Sequence, residues 1–499
     1  MFEVDTEVIV IGNGPAGISL SAFLSGWLPY YSLDRPHPNQ FIHENLAENA
    51  QLPIIDQDLD WYQPEYEQHA SASVGMYSDL MDRLMRPEGS ESNKMGACLD
   101  YEFCPTRRVP HVVLGDGPIG GSWNRYDDNM ATVSLCTWMD LPGYSLANFL
   151  GGQSLIARLP AGLIREYFKA YTKKMGLEDN FAQYTTVTNV TKFCSDYDQK
   201  EYWRVSGHAR DGNQFSITAK RLVLACGRSH YRQLEVPGEN NAMNLVYTAK
   251  EMRQVLHEIS ENVKDTPIGL KSRPVLVVGD GISAADSIMS CLKDSIPVVH
   301  VFKRSERELK TTMISRLSST VYPEYSEVFG LMLGRIQHPL YTKMSSSTVE
   351  RVFPEATVEI QRKGGKSQLL DYQCMVICVG LRTELTMLED KYNFQVEYEA
   401  EEDSTLFAIG SVIGDHFVRY LIGGALKVAQ RLFQQHKADL HASADSIADS
   451  VQSEQSKASS SRFSEILGRS FTMPRIMCKW FNLPCRRHCN SSGPLESLS

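Results

Sequence analysis

The most informative stretch of this sequence is Glu7–Gly17, which has the letters EVIVIGNGPAG. Its first half is apolar and rich in β-branched residues, and the apolar positions that follow, from Ile18 onward, recur at helical spacing. The stretch therefore predicts a strand, a glycine turn and a helix. A dinucleotide pyrophosphate needs such a turn. Gly12 permits the tight bend, Gly14 leaves room for the phosphates, and Gly17 lets the helix pack closely on the strand.

A second copy of the pattern occurs at Pro274–Met289, with the letters PVLVVGDGISAADSIM. Here Gly279 and Gly281 take the first two glycine positions, and Ser283 and Ala284 fall at the start of the helix. One glycine motif alone is weak evidence, but two in the right context predict two dinucleotide sites. The simplest pair is FAD at the first site and a nicotinamide nucleotide at the second. The alternative is an ordinary α/β protein that contains two glycine turns.

The end of the next strand after the second motif indicates which nicotinamide nucleotide binds. Residues 297–302 are apolar and predict this strand, and Lys303 and Arg304 follow it. An acidic residue at this place binds a free ribose 2′-hydroxyl, whereas basic residues accommodate a 2′-phosphate. The pair therefore favours NADPH over NADH, unless it is only a surface Lys-Arg pair at the end of a strand.

Further apolar runs that end on glycine are typical of an α/β protein with parallel sheets. They occur at residues 221–227, 374–380 and 405–410. We therefore predict an α/β fold with two dinucleotide-binding, Rossmann-like domains, in which the FAD-binding domain is discontinuous and the NADPH-binding domain is inserted into it. The predicted boundaries are 1–245 for the first part of the FAD-binding domain, 246–373 for the NADPH-binding domain and 374–436 for the second part of the FAD-binding domain.

Two segments lie outside this pattern, at residues 28–110 and 437–499. The first carries 14 acidic and 6 basic residues, so it contributes −8 to the net charge of −10. We predict that it is an acidic insertion in the FAD-binding domain that contacts partners or covers the flavin. The second is Ser-rich and poorly periodic, which predicts a mostly disordered tail. Both segments are candidate surfaces for protein partners.

The overall composition excludes several classes of protein. A chain of 499 residues with a net charge of −10 lacks the basic footprint of nucleic-acid binding. Residues 1–5 are acidic rather than basic, and no apolar run reaches about 20 residues, so we expect neither a signal peptide nor a transmembrane segment. The 11 cysteines are scattered without a CxxC pair. This pattern favours reduced thiols in a cytoplasmic protein, disfavours a disulfide reductase, and predicts no metal ligands.

The run Gly120-Gly121-Ser122-Trp123, which follows the strand-like residues 111–114, resembles the GG-x-W segment of flavin-containing and Baeyer–Villiger monooxygenases. Three features narrow the resemblance to the oxidative stress-induced growth inhibitor family, over roughly residues 6–436. They are the acidic segment, the run HVVLG at 111–115 and the run DHFVRY at 415–420. The resemblance implies further cofactor-binding residues at the ribose, the domain crossover and the flavin ring. These are Asp116, Gly120, Gly121, Trp123, Gly227, Gly410, Asp415, Gly423 and Gly424.

The resemblance also implies an activity. In such enzymes NADPH reduces FAD, and the reduced flavin reacts with O2 to give a C4a-(hydro)peroxyflavin that oxygenates a small molecule or a protein side chain. The family further implies a role in growth and cell-division regulation, with localisation at cell-division structures.

Two candidate catalytic residues differ from the monooxygenase pattern. Tyr247 stands near the place of a histidine, and Ser134 stands near the place of an asparagine beside the flavin. Because of these differences, two alternatives stay open. One is an NADPH oxidase that releases hydrogen peroxide, and the other is a degenerate nucleotide-binding regulator that acts through partner contacts.

Overall fold

The computed structural model describes the chain in six pieces, which are residues 4–69, 74–89, 95–152, 156–261, 269–394 and 398–457. The strands, in chain order, are β1 (Thr6–Ile11), β2 (Trp27–Tyr31), β3 (Leu99–Phe103), β4 (His111–Leu114), β5 (Phe181–Ala182), β6 (Thr185–Cys194), β7 (Glu201–Ala209), β8 (Gln214–Leu224), β9 (His230–Tyr231), β10 (Leu245–Val246), β11 (Val275–Val278), β12 (Val298–Phe302), β13 (Tyr341–Ser345), β14 (Ser347–Phe353), β15 (Thr357–Arg362), β16 (Ser367–Asp371), β17 (Cys374–Ile377), β18 (Leu381–Arg382) and β19 (Leu406–Ala408). The helices are α1 (Pro15–Leu24), α2 (Gln40–Ala47), α3 (Gln63–His69), α4 (Met76–Met85), α5 (Leu146–Phe149), α6 (Ala161–Lys174), α7 (Ala249–Glu261), α8 (Ile282–Lys293), α9 (Pro323–Met332) and α10 (Val418–Lys457).

The first sheet has the strand order β5-β4-β1-β8-β7-β6, and β19 also pairs with β8. Its parallel part consists of β5, β4, β1, β19 and the C-terminal half of β8, while β6 and β7 form an antiparallel extension. Val8 of β1 lies opposite His111 on one side and Arg221 on the other. Val8, Ile9 and Val10 are completely buried. A continuous apolar run is what a parallel strand covered on both faces requires.

The second sheet is entirely parallel, with the order β10-β17-β11-β12-β13. Val275 and Val277 of β11 pack in one core with Ala284 and Ile288 of α8, which follows that strand directly. A separate three-stranded antiparallel sheet, β14-β15-β16, stands between β13 and β17 in the chain. Two parallel sheets with covering helices confirm the α/β class predicted from the sequence.

One predicted domain boundary is wrong. Strand β17 pairs with β11 and with β10, so residues 374–377 belong to the second sheet rather than to the first. Leu245 likewise lies in β10 of the second sheet. An apolar run that ends on glycine has the same appearance in either sheet, and only tertiary pairing decides which sheet it joins.

Residues 28–110 lie between α1 and the second strand of the first sheet, because β4 and not β2 pairs with β1. Strand β2 pairs with β3 in an antiparallel two-stranded sheet of its own. Helix α4 packs along α10, and Leu80 and Leu84 share a core with Ile422 of α10. This segment is therefore folded, and it packs against the C-terminal helix of the protein.

Helix α10 continues through residues 437–457, where the sequence predicted disorder. The expectation of a mostly disordered tail is wrong for these residues, whose frequent alanines favour a helix more than the serines disfavour it. Residues 458–499 lie outside the described part of the chain. Within that part, no helix combines the length and the apolar character that crossing a bilayer demands.

Candidate dinucleotide-binding cavity

A cavity of 1530 Å³ lies where the carboxyl ends of the parallel strands of both sheets meet. In open parallel sheets the carboxyl ends of the strands form the crevice in which ligands bind. Both glycine turns line this one cavity. The predicted site residues that line it are Gly12, Gly14, Asp116, Gly121, Trp123, Ser134, Gly227, Gly279, Gly281, Ser283, Lys303, Arg304 and Gly410.

The first glycine turn follows β1 directly. Gly12 has a φ of +121°, and a Cβ there would lie 2.3 Å from the carbonyl oxygen of Ala225. A Cβ on Gly17 would lie 2.1 Å from the carbonyl oxygen of Gly12. Backbone atoms therefore exclude side chains at both positions, as the motif requires.

Gly14 differs from these two glycines because it has open space in front of it. The nearest atom to a Cβ there is the Cα of Gly121, at 3.9 Å. Helix α1 begins immediately afterwards, with Pro15 in its first position. The first N–H groups of a helix have no intrahelical acceptor, so this end of α1 presents donors and positive potential to the space beside Gly14.

The GG-x-W run faces the first turn. Gly120 and Gly121 have φ values of +111° and +55°, and the N–H of Gly120 donates to the carbonyl oxygen of Asn13 at 3.0 Å. Trp123 packs edge-on against Phe168, with 5.9 Å between the ring centroids. The run therefore holds a second chain segment close to the glycine turn, and Gly120 lies behind the cavity wall rather than in it.

The second glycine turn repeats the geometry of the first. Gly279 has a φ of +122°, and a Cβ there would lie 2.2 Å from the carbonyl oxygen of Cys378. A Cβ on Gly281 would have no atom within 4 Å. Ala284 takes the third position, where its methyl group is buried in the core beneath α8 and does not reach the cavity.

Two buried histidines that the sequence analysis missed support the two units. In β12, His300 donates from Nε2 to the carbonyl oxygen of Gly279 at 2.5 Å, and its Nδ1 accepts from the Tyr341 hydroxyl at 2.8 Å. In β4, His111 donates from Nδ1 to the carbonyl oxygen of Val109 and accepts from the Ser21 hydroxyl, both at 2.8 Å. Burial lowers the pKa of each imidazole to about 4. The sequence carried no signal of these roles, because each histidine resembles an ordinary strand residue until its hydrogen bonds are known.

The residues predicted to bind the two riboses carry charge into the cavity. Asp116 is mostly exposed and pairs with Arg125, whose Nη2 lies 3.3 Å from its Oδ2. At the other end, Nη1 of Arg304 lies 2.5 Å from Oδ1 of Asp280. Lys303 lines the cavity beside Arg304.

Several predicted residues do not reach the cavity. Tyr247 stacks on Tyr231, with ring centroids 5.2 Å apart and an interplanar angle of 16°, and it does not line the cavity. Its prediction as a catalytic residue is therefore not supported by its position. Burial raises the pKa of its hydroxyl. Ser134, the other catalytic candidate, is buried and does line the cavity.

Gly423 and Gly424 pack closely against neighbouring segments and do not line the cavity. A Cβ on Gly423 would lie 2.2 Å from the carbonyl oxygen of Tyr77, and one on Gly424 would lie 2.5 Å from the ring of Tyr398. These glycines let α10 approach α4 and the segment around Tyr398. Their prediction as cofactor-binding residues is not supported by these positions, which lie inside α10 and do not line the cavity.

Asp415 also lies behind the wall. Its carboxylate accepts from the Ser78 hydroxyl at 3.3 Å, and burial raises its pKa to about 6. The next residues, His416, Phe417 and Val418, line the cavity at the start of α10. This segment therefore reaches the cavity through His416, Phe417 and Val418 rather than through Asp415.

Comparison with known proteins identifies the family. The chain is 39% identical over 439 residues to a Caenorhabditis elegans protein named as an oxidative stress induced growth inhibitor homolog, covering 86% of this chain and 94% of that protein. It is 30% identical over 489 residues to human oxidative stress-induced growth inhibitor 2, covering 87% and 94%. The chain belongs to the oxidative stress-induced growth inhibitor family. Residues 152–435 of this family member also match the pyridine nucleotide-disulphide oxidoreductase family.

Solved structures show the same fold at low identity. This growth inhibitor family member matches the bacillithiol disulfide reductase of Bacillus cereus with a TM-score of 0.53 and 12% identity, covering 86% of this chain and 99% of that one. It matches the ornithine hydroxylase of Pseudomonas aeruginosa with a TM-score of 0.53 and 11% identity, over the same shares. The fold is therefore shared by a disulfide reductase and a hydroxylase.

Two cysteines of this family member lie at the dinucleotide cavity. Cys226 and Cys378 line the cavity, and burial raises their pKa values to about 11 and about 12. A redox-active cysteine instead needs a lowered pKa, because the thiolate is the nucleophile. Cys374, at the start of β17, is completely buried.

Proposed function

We propose that this protein is an FAD- and NADPH-dependent oxidoreductase of the flavin monooxygenase type. The observation that carries the proposal is that two glycine turns of the same geometry line a single cavity of 1530 Å³. Two dinucleotides bound in one crevice can bring their reactive rings together, whereas separate pockets cannot. The family relationship supports an oxidoreductase and a flavin with a nicotinamide nucleotide.

The residues beside β1 fit the pyrophosphate of FAD. Space in front of Gly14 and the amide donors at the start of α1 would hold the phosphates, as a helix N-terminus does for an anion. Asp116 would accept from the adenosine ribose in place of the acidic residue that other flavoproteins carry at the position of Leu114. The start of α10, at His416 and Phe417, would contact the ring system or the ribityl chain.

The residues beside β11 fit NADPH. The open space at Gly281 and the start of α8 would take its pyrophosphate, and Ser283 would donate to a phosphate oxygen. Lys303 and Arg304 would pair with the 2′-phosphate. We accordingly assign FAD binding to residues 1–244 with 378–436, and NADPH binding to residues 245–377.

When bound, FAD supplies the two-electron chemistry that links NADPH to O2. The contribution of this chain is to orient the two nucleotides and to shield the reacting region from water. Neutral thiols at Cys226 and Cys378 disfavour dithiol exchange as the next step, so oxygen is the more suitable oxidant. The substrate is a small molecule or a protein side chain. The names of the relatives support a role in growth regulation, and we place the protein in the cytoplasm, at cell-division structures when it acts in division.

A second candidate, an NADPH oxidase that releases hydrogen peroxide, is favoured by one observation. Tyr247 lies outside the cavity and so does not replace the histidine of the monooxygenase pattern. A third, a nucleotide-binding regulator, would use the acidic residues 28–110 and the tail for partner contacts.

Flavin spectroscopy separates these functions. Purified protein is incubated with FAD, desalted, titrated with NADPH without oxygen, and then exposed to air while peroxide is measured. The proposal predicts retained flavin, bleaching by NADPH and slow reoxidation in air, with peroxide released only at that slow rate because no organic substrate takes up the oxygen. Rapid reoxidation with immediate stoichiometric peroxide would favour the oxidase, and retained flavin that NADPH cannot bleach would favour the regulator. Protein that retains no flavin would overturn the proposal.

A further inference from the structure

A second cavity, of 660 Å³, lies apart from the dinucleotide crevice. It is enclosed between β3 with the end of α4 on one side and residues 136–150 on the other. Residues 28–110 thus form one wall, and the chain that follows the GG-x-W run forms the opposite wall. None of the residues that line it also lines the dinucleotide cavity. Its volume is in the range of sites for small organic ligands.

The charged residues of the lining are few and unevenly distributed. At the mouth, Arg35 and Asp100 are about half exposed and form an ion pair with 2.5 Å between Nη2 and Oδ1. The positive charge of Arg35 and the negative charge of Asp100 therefore cancel. The third charged residue is Asp140, and it has no cationic partner of its own in the lining. The lining therefore carries a net charge of −1, located on Asp140.

Asp140 has one hydrogen bond that the structure defines, from the N–H of Leu146 to Oδ1 at 2.7 Å. Arg86, a cation whose charge acts on Asp140, already donates to Asp82 at 2.6 Å and to the carbonyl oxygen of Thr137 at 2.9 Å. Burial raises the pKa of Asp140 to about 6. A buried carboxylate with so little compensation is costly unless a cation joins it.

Two hydroxyl groups in the same lining have no hydrogen-bond partner in the described structure. They belong to Thr137, which is 8% exposed, and to Tyr101. Burial is the main cause of the raised pKa of the Tyr101 phenol, and the negative charge of Asp140 adds a smaller contribution. Buried hydroxyls without partners are rare in proteins, and here they leave the polar groups of this wall incompletely compensated.

The remainder of the lining is mostly apolar, with Met85, Leu99, Leu141, Leu146 and Leu150 around the space. We propose that this cavity is a binding site for an organic ammonium ion with an aliphatic body. The ammonium group pairs with Asp140. The aliphatic body lies against the leucines. The site is independent of the proposed flavin chemistry.

Binding of n-hexylammonium to the full-length protein tests this proposal. Calorimetric titration at about pH 7.5, where Asp140 is ionised, measures the affinity for n-hexylammonium. The same titration is repeated with n-hexanol and with hexanoate, which share the aliphatic body but lack the cation. The expected result is saturable binding of n-hexylammonium, at least about ten-fold weaker binding of n-hexanol and no binding of hexanoate. Equal affinity for the amine and the alcohol, or preference for the carboxylate, would overturn the proposal.

Substitutions distinguish this cavity from any other place where an amine could bind. Asp140→Asn keeps an oxygen for the Leu146 N–H but removes the charge, and should weaken n-hexylammonium binding at least about ten-fold. Asp128→Asn, at an exposed carboxylate outside both cavities, should leave it unchanged. Ala147→Phe adds a ring to the cavity wall and should abolish binding. Circular dichroism checks that each variant folds. Wild-type affinity in either Asp140→Asn or Ala147→Phe contradicts the proposal, so a failure of one variant to fold leaves the other decisive.

Discussion

Asp280 and Arg304 form an ion pair inside the second glycine site, with 2.5 Å between Oδ1 and Nη1. Asp280 stands between Gly279 and Gly281, and its side chain is only 14% exposed, whereas that of Arg304 is 49% exposed. The residue that we expect to bind the 2′-phosphate of NADPH is therefore already paired with a carboxylate. A phosphate that reaches Arg304 meets the negative charge of Asp280 as well as the positive charge of the guanidinium.

Asp280→Asn should therefore strengthen the binding of NADP⁺ without a comparable effect on NAD⁺. Because the pair is partly exposed, we expect a change of about three- to five-fold in the dissociation constant, or about 1 kcal/mol. Equilibrium titration with both nucleotides measures it and needs no turnover. Arg304→Gln is the matched counterpart and should weaken NADP⁺ alone. If both variants change NADP⁺ and NAD⁺ equally, Arg304 does not contact the 2′-phosphate.

The local elements of this protein could be predicted from its sequence. A strand, a glycine turn and a helix are adjacent in the chain, and the conformation of Gly12 or Gly279 is dictated by atoms that the motif itself brings close. The second-strand role of β4 was also predictable, because the GG-x-W run follows it. These inferences depend on short-range pattern, which survives the insertion of residues 28–110.

The parts that were not predictable depend on packing between distant segments. Gly423 is required by the backbone of Tyr77, which lies far away in sequence, and a glycine needed for packing looks identical to one needed for a ligand. In the sequence, His300 is one more residue of a strand, and its role is evident only from the hydrogen bond to the carbonyl oxygen of Gly279. The pairing of β17 with β11 likewise depends on contact between two segments that are distant in the chain.

Gly14 and Gly12 should respond differently to substitution. Gly14→Leu places a side chain in open space, so we expect the protein to fold with a near-normal thermal midpoint but to retain no flavin. Gly12→Ala meets the Ala225 carbonyl at 2.3 Å and has an unfavourable φ, so it should destabilise the fold by about 1–3 kcal/mol. Flavin absorbance after desalting and thermal unfolding measure the two effects.

The same two measurements can contradict the proposal that the FAD pyrophosphate lies beside Gly14. Normal flavin loading in Gly14→Leu would mean that the pyrophosphate does not lie beside α1. Gly281→Leu supplies the matched control, since it fills the corresponding space at the second site. It should leave flavin loading intact and weaken NADP⁺ binding only.

A buried charge cluster should couple residues 28–110 to the helix that borders the cavity. Asp82 of α4 pairs with Arg86 and with Arg419 of α10, and all three side chains are nearly inaccessible. Asp82→Asn leaves two buried guanidinium groups without their shared carboxylate, which should cost about 3–5 kcal/mol. We expect faster proteolysis within residues 28–110 and weaker flavin retention, because Arg419 is in the first turns of α10.

Asp100→Asn is the control for that cluster. Its pair with Arg35 is about half exposed, so its loss should change stability by no more than about 1 kcal/mol and leave flavin retention intact. Limited proteolysis with and without FAD follows both variants. Equal protease resistance of Asp82→Asn and the wild type would show that the cluster does not couple the two segments.

The imidazole of His300 should make the folding stability of the protein sensitive to acid. Burial lowers its pKa from 6.5 to about 4 in the folded protein, so folding favours the neutral ring. The stabilisation is fully present above about pH 6.5 and is lost as the pH falls toward 4. At about 1.4 kcal/mol for each pH unit, the loss reaches about 2 kcal/mol near pH 5. Protonation also replaces the acceptor that receives the Tyr341 hydroxyl, which loosens the strand beneath Gly279.

His300→Gln supplies an N–H donor and an oxygen acceptor without a titrating group. The variant is expected to start with a lower thermal midpoint but to lose less of it between about pH 7.5 and pH 5 than the wild type does. His257→Gln, at a histidine that is 72% exposed, should follow the wild type. NADP⁺ binding over the same range should respond to pH equally in the two proteins, because a folded-state pKa of about 4 leaves the ring mostly neutral at pH 5. Parallel losses of the thermal midpoint in the two proteins would show that folding does not lower the pKa of His300 and that the acid sensitivity lies elsewhere.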